Sequence, residues 1–263
     1  MELPLRGEPV SSGPFQGPRY LERALVVVRF SPVLRISDES GSGIASFQEA
    51  VRQEYPLIEL EYEKLMRLEV RTDGTFGSDE EKHPVWRLFD IDKKWRVSLT
   101  PRSIAVEVDA ATYTTWSDFA VRVSKLVAAA GEHFAPTHRQ YIGVRYLNAA
   151  PATGDADPRT DCVADLVSIT GNSDLEAADL LWRFRVDEGL LILRSGVMPP
   201  KNTYDPNMFK PRDEATWYLD IDVANNNTTE FDSERINSSI LAQVKRLHAV
   251  YCWAMQGKAS KGV

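Results

Sequence analysis

Residues 85–109 read VWRLFDIDKKWRVSLTPRSIAVEVD, and this stretch decides the fold. Two runs, Val85–Ile91 and Lys94–Leu99, flank the short polar turn Asp92-Lys93, which is the pattern of a β-hairpin. A further turn at Thr100-Pro101 leads into a third strand. Apolar residues alternate with polar ones along the second and third strands: Trp95, Val97, Leu99, Ile104, Val106 and Val108. A period of two predicts antiparallel strands with one apolar face.

A helix is predicted directly after these strands, beginning at about Thr115. Thr115 and Asp118 have the spacing of a capping box, and Gly131 suits the position after the last turn. Apolar residues recur at helical spacing: Trp116, Phe119, Val123, Leu126 and Ala130. Because a sheet with one apolar face needs a cover, we expect this helix to pack across its own sheet.

The same order of elements occurs a second time. Strands at 182–186 and 190–193 flank the turn Asp187-Glu188-Gly189, and the alternating strand Trp217–Val223 follows a long loop, Met198–Arg212. Asp232 is placed to cap a last helix, whose apolar stripe is Ile236, Ile240, Val244, Leu247 and Tyr251. The sequence therefore predicts an α+β fold: a mainly antiparallel, twisted β-sheet in two similar halves, each covered by a long helix.

The predicted organisation has four parts. Residues 1–19 are a flexible leader, 20–148 the N-terminal half, 149–160 a linker rich in Ala, Pro, Gly and Asp, and 161–263 the C-terminal half. The sequence is compatible with two separate sheets and with one continuous domain. The stretch from Arg71 to Lys82 is polar with two glycines, which predicts a loop.

The amino-acid composition and net charge exclude some classes of function. The 263 residues carry 31 basic and 38 acidic side chains, and this net charge of −7 argues against a general binder of nucleic acid or of anionic membranes. Residues Met1–Gly17 lack the apolar core of a signal peptide, and no apolar run approaches the roughly 18 residues of a membrane span. Cys162 and Cys252 form no C-x-x-C motif. A cytoplasmic protein is predicted, with no membrane partner and no cofactor.

Acidic pairs at i, i+2 spacing are the strongest enzymatic signal: Asp90/Asp92, Glu107/Asp109 and Asp220/Asp222. Residues i and i+2 of a strand share a face, so each pair has the spacing to hold a divalent cation. The last two pairs alternate with apolar stripes, which predicts that they face solvent.

Asp90 and Asp92 are the remaining weak candidates for a metal site. Asp92-Lys93-Lys94 matches the D-x-K ending of restriction-type nuclease sites, with Asp90 upstream. The same residue types are ordinary in a hairpin turn. His83, His133, His138 and His248 show no metal-ligand spacing, and no phosphate-binding or hydrolase motif occurs. The sequence therefore predicts no catalytic residues.

Arg145, Tyr146 and Asn148 form a polar and aromatic group at the end of a predicted strand. Arg and Tyr together suit an anionic or planar ligand, or a partner chain. The competing interpretation is that Arg145 pairs with a carboxylate of a neighbouring strand while Tyr146 packs inward.

Several patches occur in an order that resembles a sporadically distributed family of uncharacterised bacterial proteins of about this length. They lie at residues 20–32, 47–57, 95–101, 113–119 and 142–148, the last reading IGVRYLN. The resemblance implies no activity for any residue. A patchy distribution is typical of mobile or defence-associated genes, so it implies a partner-dependent role in a bacterial operon.

Three functional hypotheses follow. The first is a non-enzymatic binding or accessory protein that acts through a protein partner, a second copy of itself or a ligand. The second is a metal-dependent hydrolase or nuclease that uses strand carboxylates. The third is a small-molecule sensor, which requires a concave apolar pocket under a helix.

Overall fold

One large antiparallel sheet organises the molecule. The computed structural model describes residues 2–9, 19–70, 76–113, 115–152, 157–167, 170, 172 and 174–256, with the backbone alone for 65–70 and 76–81. Most of the predicted leader and the middle of the predicted linker lie outside the described residues. The α+β class, the dominance of antiparallel strands and the long helices are confirmed.

Ten strands and four α-helices are present in the described ranges. The strands are β1 (Leu21–Phe30), β2 (Leu57–Val70), β3 (Phe76–Phe89), β4 (Trp95–Thr100), β5 (Ser103–Asp109), β6 (His138–Pro151), β7 (Ala178–Val186), β8 (Gly189–Met198), β9 (Thr216–Asn225) and β10 (Thr229–Glu230). The helices are α1 (Ala45–Val51), α2 (Trp116–Phe134), α3 (Ala164–Val167) and α4 (Ser233–Ala254). Short 3-10 helices span Leu34–Ser37 and Pro158–Asp161.

The strands of both predicted halves join in a single open sheet. Their order is β2-β3-β4-β5-β1-β6-β9-β8-β7, and β10 pairs with the start of β6. The junction is the β6–β9 pair, in which Arg145 lies opposite Asp222 and Leu147 lies opposite Asp220. The sheet centre is therefore made by β1, β6 and β9.

The helices cover one face of this sheet. The α2 helix packs beside β5 and α4 lies over β6 and β9, and the two helices contact each other. The predicted caps are present: the Thr115 hydroxyl accepts from the Asp118 N–H at 3.2 Å, and Asp232 accepts from the N–H groups of Glu234 and Arg235. The predicted apolar stripes are buried beneath the helices, and Trp95 stacks on Phe119 with ring centroids 5.6 Å apart.

The opposite face is only partly covered. Residues 199–215, which include most of the predicted Met198–Arg212 loop, connect β8 to β9 and cross part of this face. A small second core lies under this crossing segment, formed by Leu147, Ala149, Met198, Met208, Phe209 and Tyr218. The rest of this face carries no helix within the described ranges.

The predicted loop from Arg71 to Lys82 is wrong from Phe76 onward, and its first part, residues 71–75, lies outside the described residues. Residues 76–82 belong to β3, and Phe76 pairs with Val70 while Lys82 pairs with Lys64. The β4 strand pairs with β3 only from Trp86 to Phe89, so the outer part of the β2–β3 hairpin extends beyond the sheet. A two-stranded ribbon of this kind has no core face, and its sequence therefore lacks the alternation that reveals a strand.

The prediction that Glu107 faces solvent is also wrong. Glu107 is only 9% exposed, and its carboxylate lies 2.5 Å from Nη2 of Arg96 and 3.1 Å from Nη1 of Arg23. Its neighbour Asp109 is exposed at the end of β5, as predicted. Two arginines on flanking strands thus shield a carboxylate that alternation alone places on the open side.

Arg246 of α4 is completely buried and holds the N-terminal segment, residues 2–9, against the second half of the sheet. Its guanidinium donates to the carbonyl oxygens of Pro4 and Gly7 at 2.7 and 2.6 Å, and to both carboxylate oxygens of Glu188 at 2.9 and 3.1 Å. Across the described residues, no helix combines the length and apolar character needed to span a membrane.

Candidate functional site

The structure does not bring Arg145, Tyr146 and Asn148 together on one surface. Arg145 lies on the partly open face, whereas Tyr146 points toward the helices, where its phenol lies 2.9 Å from that of Tyr113. Asn148 is buried, and its amide donates to the carbonyl of Leu219 at 3.1 Å. Successive residues of a strand point to opposite faces, so this group combines one open-face residue with two internal ones.

Arg145 makes the cross-strand ion pair that the competing interpretation predicted. Its Nε and Nη2 atoms donate to the carboxylate of Asp220 on β9 at 2.9 and 2.7 Å, and Nη1 reaches Asp205 of the crossing segment at 3.2 Å. The Tyr204 hydroxyl donates to the same Asp220 carboxylate at 2.9 Å. Arg145 is thereby fixed in one orientation at the junction of the two halves.

The prediction that Asp220 and Asp222 face solvent is wrong for Asp220. Asp220 is 5% exposed because the crossing segment lies over it and because Arg145 and Tyr204 saturate its oxygens. Alternation assigned the correct face to this residue. The crossing segment that covers this face is a loop, and strand periodicity gives no information about the position of loops.

Asp222 is half-buried and lacks a polar partner in the described part of the chain. It lies directly opposite Arg145 in the β6–β9 register, but the donors of Arg145 are directed to Asp220 and Asp205. Burial raises the pKa of Asp222 to about 6, while the charge of Arg145 opposes this rise and that of Asp220 adds to it. The open face therefore holds a carboxylate with unused acceptor capacity.

An aromatic ring lies beside this carboxylate. The phenol of Tyr141 lies over Gly143, where a Cβ atom would come within 2.2 Å of the tyrosine oxygen, so a glycine is needed at this position. Arg29 of β1 stacks over the ring at 4.8 Å from its centroid. Burial, and then the charge of Asp222, raise the pKa of Tyr141 to about 12.

We call Arg29, Tyr141, Gly143, Arg145 and Asp222 the sheet-face site. Half-buried apolar side chains surround it on the same face: Leu25, Val27, Ala105 and Ile192. Charged side chains lie farther out, including Arg96, Asp109 and Arg183. Polar and charged side chains thus lie among apolar ones, with further charges at the rim, and protein–protein interfaces contain such mixed surfaces.

Sequence reasoning missed Tyr141 and Arg29. The usable signal was Gly143, because a glycine two residues from a tyrosine on one strand face leaves room for the ring to lie along the strand. Arg29 and Tyr141 occupy paired positions in the β1–β6 register. That pairing follows from the topology and could not be read from the local pattern.

Asp90 and Asp92 form the hairpin turn between β3 and β4. One oxygen of Asp90 accepts from the N–H groups of Lys94 and Trp95 at 2.7 and 3.0 Å, and Asp92 lies 3.6 Å from the Lys94 ammonium. Within the described ranges, no three His, Cys, Asp or Glu residues are grouped closely enough to share a metal ion. These contacts are the ordinary ones of a turn.

Both cysteines are buried. Sγ of Cys252 lies 3.7 Å from both ring nitrogens of His248, which is a long contact for a thiol and a base. Cys162 is buried against Met255, and burial raises the pKa of its thiol to about 12. A thiol held in this way is not available as a thiolate.

The comparisons with known proteins leave the family and the function open. No protein-family model matches the chain, and a search of curated proteins finds no match.

Replacing Asp222 with asparagine is expected to stabilise the fold at neutral pH. The folded pKa of about 6 lies above the ordinary 3.8, so the folded state binds the proton more tightly and stability falls as pH rises from about 4 to about 6. A pKa difference of this size corresponds to about 2–3 kcal/mol, which partial exposure reduces, so we expect a gain of about 1–2 kcal/mol at pH 7.

Urea unfolding of both proteins between pH 4 and pH 8 measures this effect. The Asp222→Asn protein should show a weaker loss of stability between pH 4 and pH 6. Asp109→Asn is the matched control, since Asp109 is an exposed acid on the same face. If the free energy of unfolding changes with pH equally in the Asp222→Asn and wild-type proteins, the raised pKa does not belong to Asp222.

Proposed function

We propose that this protein is a non-enzymatic binding protein that receives a protein partner on the sheet-face site. The observation that carries the proposal is Asp222, a half-buried carboxylate without a hydrogen bond or ion pair among the described residues, at the junction of the two halves. An arginine or lysine of the partner would supply the missing donor. A residue that destabilises the folded chain suits a binding role, because binding sites commonly carry such strain.

The shape of the surface supports a protein partner over a small ligand. The face is a broad sheet surface on which apolar side chains surround the sheet-face site, and small ligands require concave sites that enclose most of their surface. The net charge of −7 disfavours nucleic acid and favours a partner with a basic contact region. The family resemblance implies a partner encoded in the same bacterial operon, and the cysteine usage predicts that the complex forms in the cytoplasm. A second copy of the chain remains the alternative occupant.

The location of the site fits an internal repeat. The strand order reads β3-β4-β5-β1 on one side of the centre and β7-β8-β9-β6 on the other, each followed in the chain by one long helix. We infer that the halves are two copies of one unit, with β1 equivalent to β6. The sheet-face site then lies where the copies meet.

Quantitative affinity enrichment from the native host tests the proposal. The wild-type, Asp222→Asn and Asp109→Asn proteins would each be immobilised, and the captured proteins compared by mass spectrometry. We expect at least one protein captured by the wild type to fall about tenfold or more with Asp222→Asn, since losing one member of a buried interfacial charge pair costs about 2 kcal/mol or more. Asp109→Asn should retain it. The same proteins captured equally by all three would overturn the proposal.

A further inference from the structure

A concave site lies on the other side of the sheet, under the helices of the second half. It is a cavity of about 580 Å³ that is open to solvent on one side and is bordered by the N-terminal segment, α3, β7, β8 and α4. Leu193, Leu166 and Trp253 form its buried floor, and the half-buried Trp182 and Phe184 form a wall. The volume falls in the range of cavities that hold small molecules.

Hydrogen bonds fix the segments that border this cavity. The buried Arg246 holds the carbonyls of Pro4 and Gly7, which positions Leu3 at the cavity. The N–H of Val163 donates to the Ala254 carbonyl at 2.8 Å, which ties the start of α3 to the end of α4. A cavity with walls held by hydrogen bonds is preorganised, so a ligand would lose little affinity to ordering the protein.

The chemistry of the lining is aromatic and acidic. Three of the lining side chains are aromatic, and the charged ones are Glu2 and Asp165, both exposed at the rim. The described residues that line the cavity include no basic side chain. Aromatic faces attract cations through their quadrupole, most strongly in tryptophan, and two carboxylates add a negative potential at the entrance.

We propose that this cavity binds a small organic cation with apolar substituents, of the alkylammonium or arylalkylammonium class. The apolar part would lie on Leu193 and Leu166, and the cationic group would lie against the indole rings below Glu2 and Asp165. An anion would meet the two carboxylates without a compensating positive charge. The site is separate from the sheet-face site, which lies on the opposite face, so either proposal can fail without the other.

Benzyltrimethylammonium is a suitable probe, and phenylmethanesulfonate is its anionic counterpart of similar size. Calorimetric titration of the full chain gives the two affinities, and NMR of the tryptophan indole N–H groups locates the binding. We expect the cation to bind about tenfold more tightly than the anion, as one desolvated cation–π contact plus the rim charges allow. The indole signals of Trp182 and Trp253 should shift more than those of the other four tryptophans.

The combined change Glu2→Gln with Asp165→Asn removes the rim charge from exposed positions. It should bring the cation and anion affinities to within about threefold of each other, since exposed charges contribute weakly. Glu49→Gln with Glu132→Gln, on α1 and α2 outside the cavity lining, is the matched control and should leave the ratio unchanged. Trp182→Leu should weaken the binding of the cation about tenfold.

Three results would overturn the proposal. They are equal affinity for the cation and the anion, indole shifts away from Trp182 and Trp253, and absence of binding at millimolar probe. The rim variants replace exposed side chains and are expected to fold, so the comparison stands even where Trp182→Leu does not fold.

Discussion

Replacing Arg246 with methionine is expected to lower the free energy of unfolding by about 3–5 kcal/mol, the range measured when one member of a buried ion pair is removed. The change leaves Glu188 buried without its cation and removes the donors from the carbonyls of Pro4 and Gly7. The apolar stem of methionine fills part of the space, so the loss is mainly electrostatic. Equilibrium unfolding in urea, followed by circular dichroism, measures it.

The adjacent Lys245 provides the control, because it is exposed on the same helix. Lys245→Met should change stability by less than about 0.5 kcal/mol. The double change Arg246→Met with Glu188→Gln should recover part of the loss, since it removes the unpaired charge. A single Arg246→Met protein as stable as the wild type would show that this network does not hold the N-terminal segment.

Replacing Arg145 with methionine is expected to cost about 2–4 kcal/mol, less than for a fully buried pair because its side chain retains 22% exposure. Asp220 would keep its bond from Tyr204 but lose both arginine contacts. Asp222 would lose the nearby positive charge that opposes the rise of its pKa, so this pKa should rise above about 6. Unfolding curves and carboxyl-carbon NMR titration measure the two effects.

Arg183→Met serves as the control for this change. Arg183 is exposed near the edge of the same sheet face, so its loss should leave the stability and the Asp222 titration close to wild type. If the pKa of Asp222 in the Arg145→Met protein equals that in the wild type, the charge of Arg145 does not act on Asp222. The electrostatic argument for the sheet-face site would then fail.

Strand periodicity predicted the parts of the fold in which one face meets a core. The hairpin from Trp86 to Leu99 and the strand from Trp217 to Val223 alternate because the helices cover one side of each. The same logic assigned Asp220 and Asp222 to the face away from the helices. The helix starts at Thr115 and Asp232 could be predicted because helix capping depends on a few adjacent residues.

The candidate sites depend on contacts that no local pattern contains. Asp220 is buried by the crossing segment, whose path over the sheet is set by Met208 and Phe209 packing on Tyr218. Tyr141 lies within the electrostatic influence of Asp222 only because β6 pairs with β9, which begins 65 residues after β6 ends. The cavity requires the N-terminal segment to meet α4. Pairings of this kind follow from topology, and one sequence supplies no direct signal for them.

The contact between Arg246 and Pro4 joins residues 242 positions apart in the chain. During synthesis, residues 2–9 therefore have no binding place until the residues of α4 have been made. Closing such long loops is slow, so we infer that the nascent N-terminal segment stays accessible to proteases and chaperones until α4 has left the ribosome. Its protection would then report that α4 has packed against the sheet.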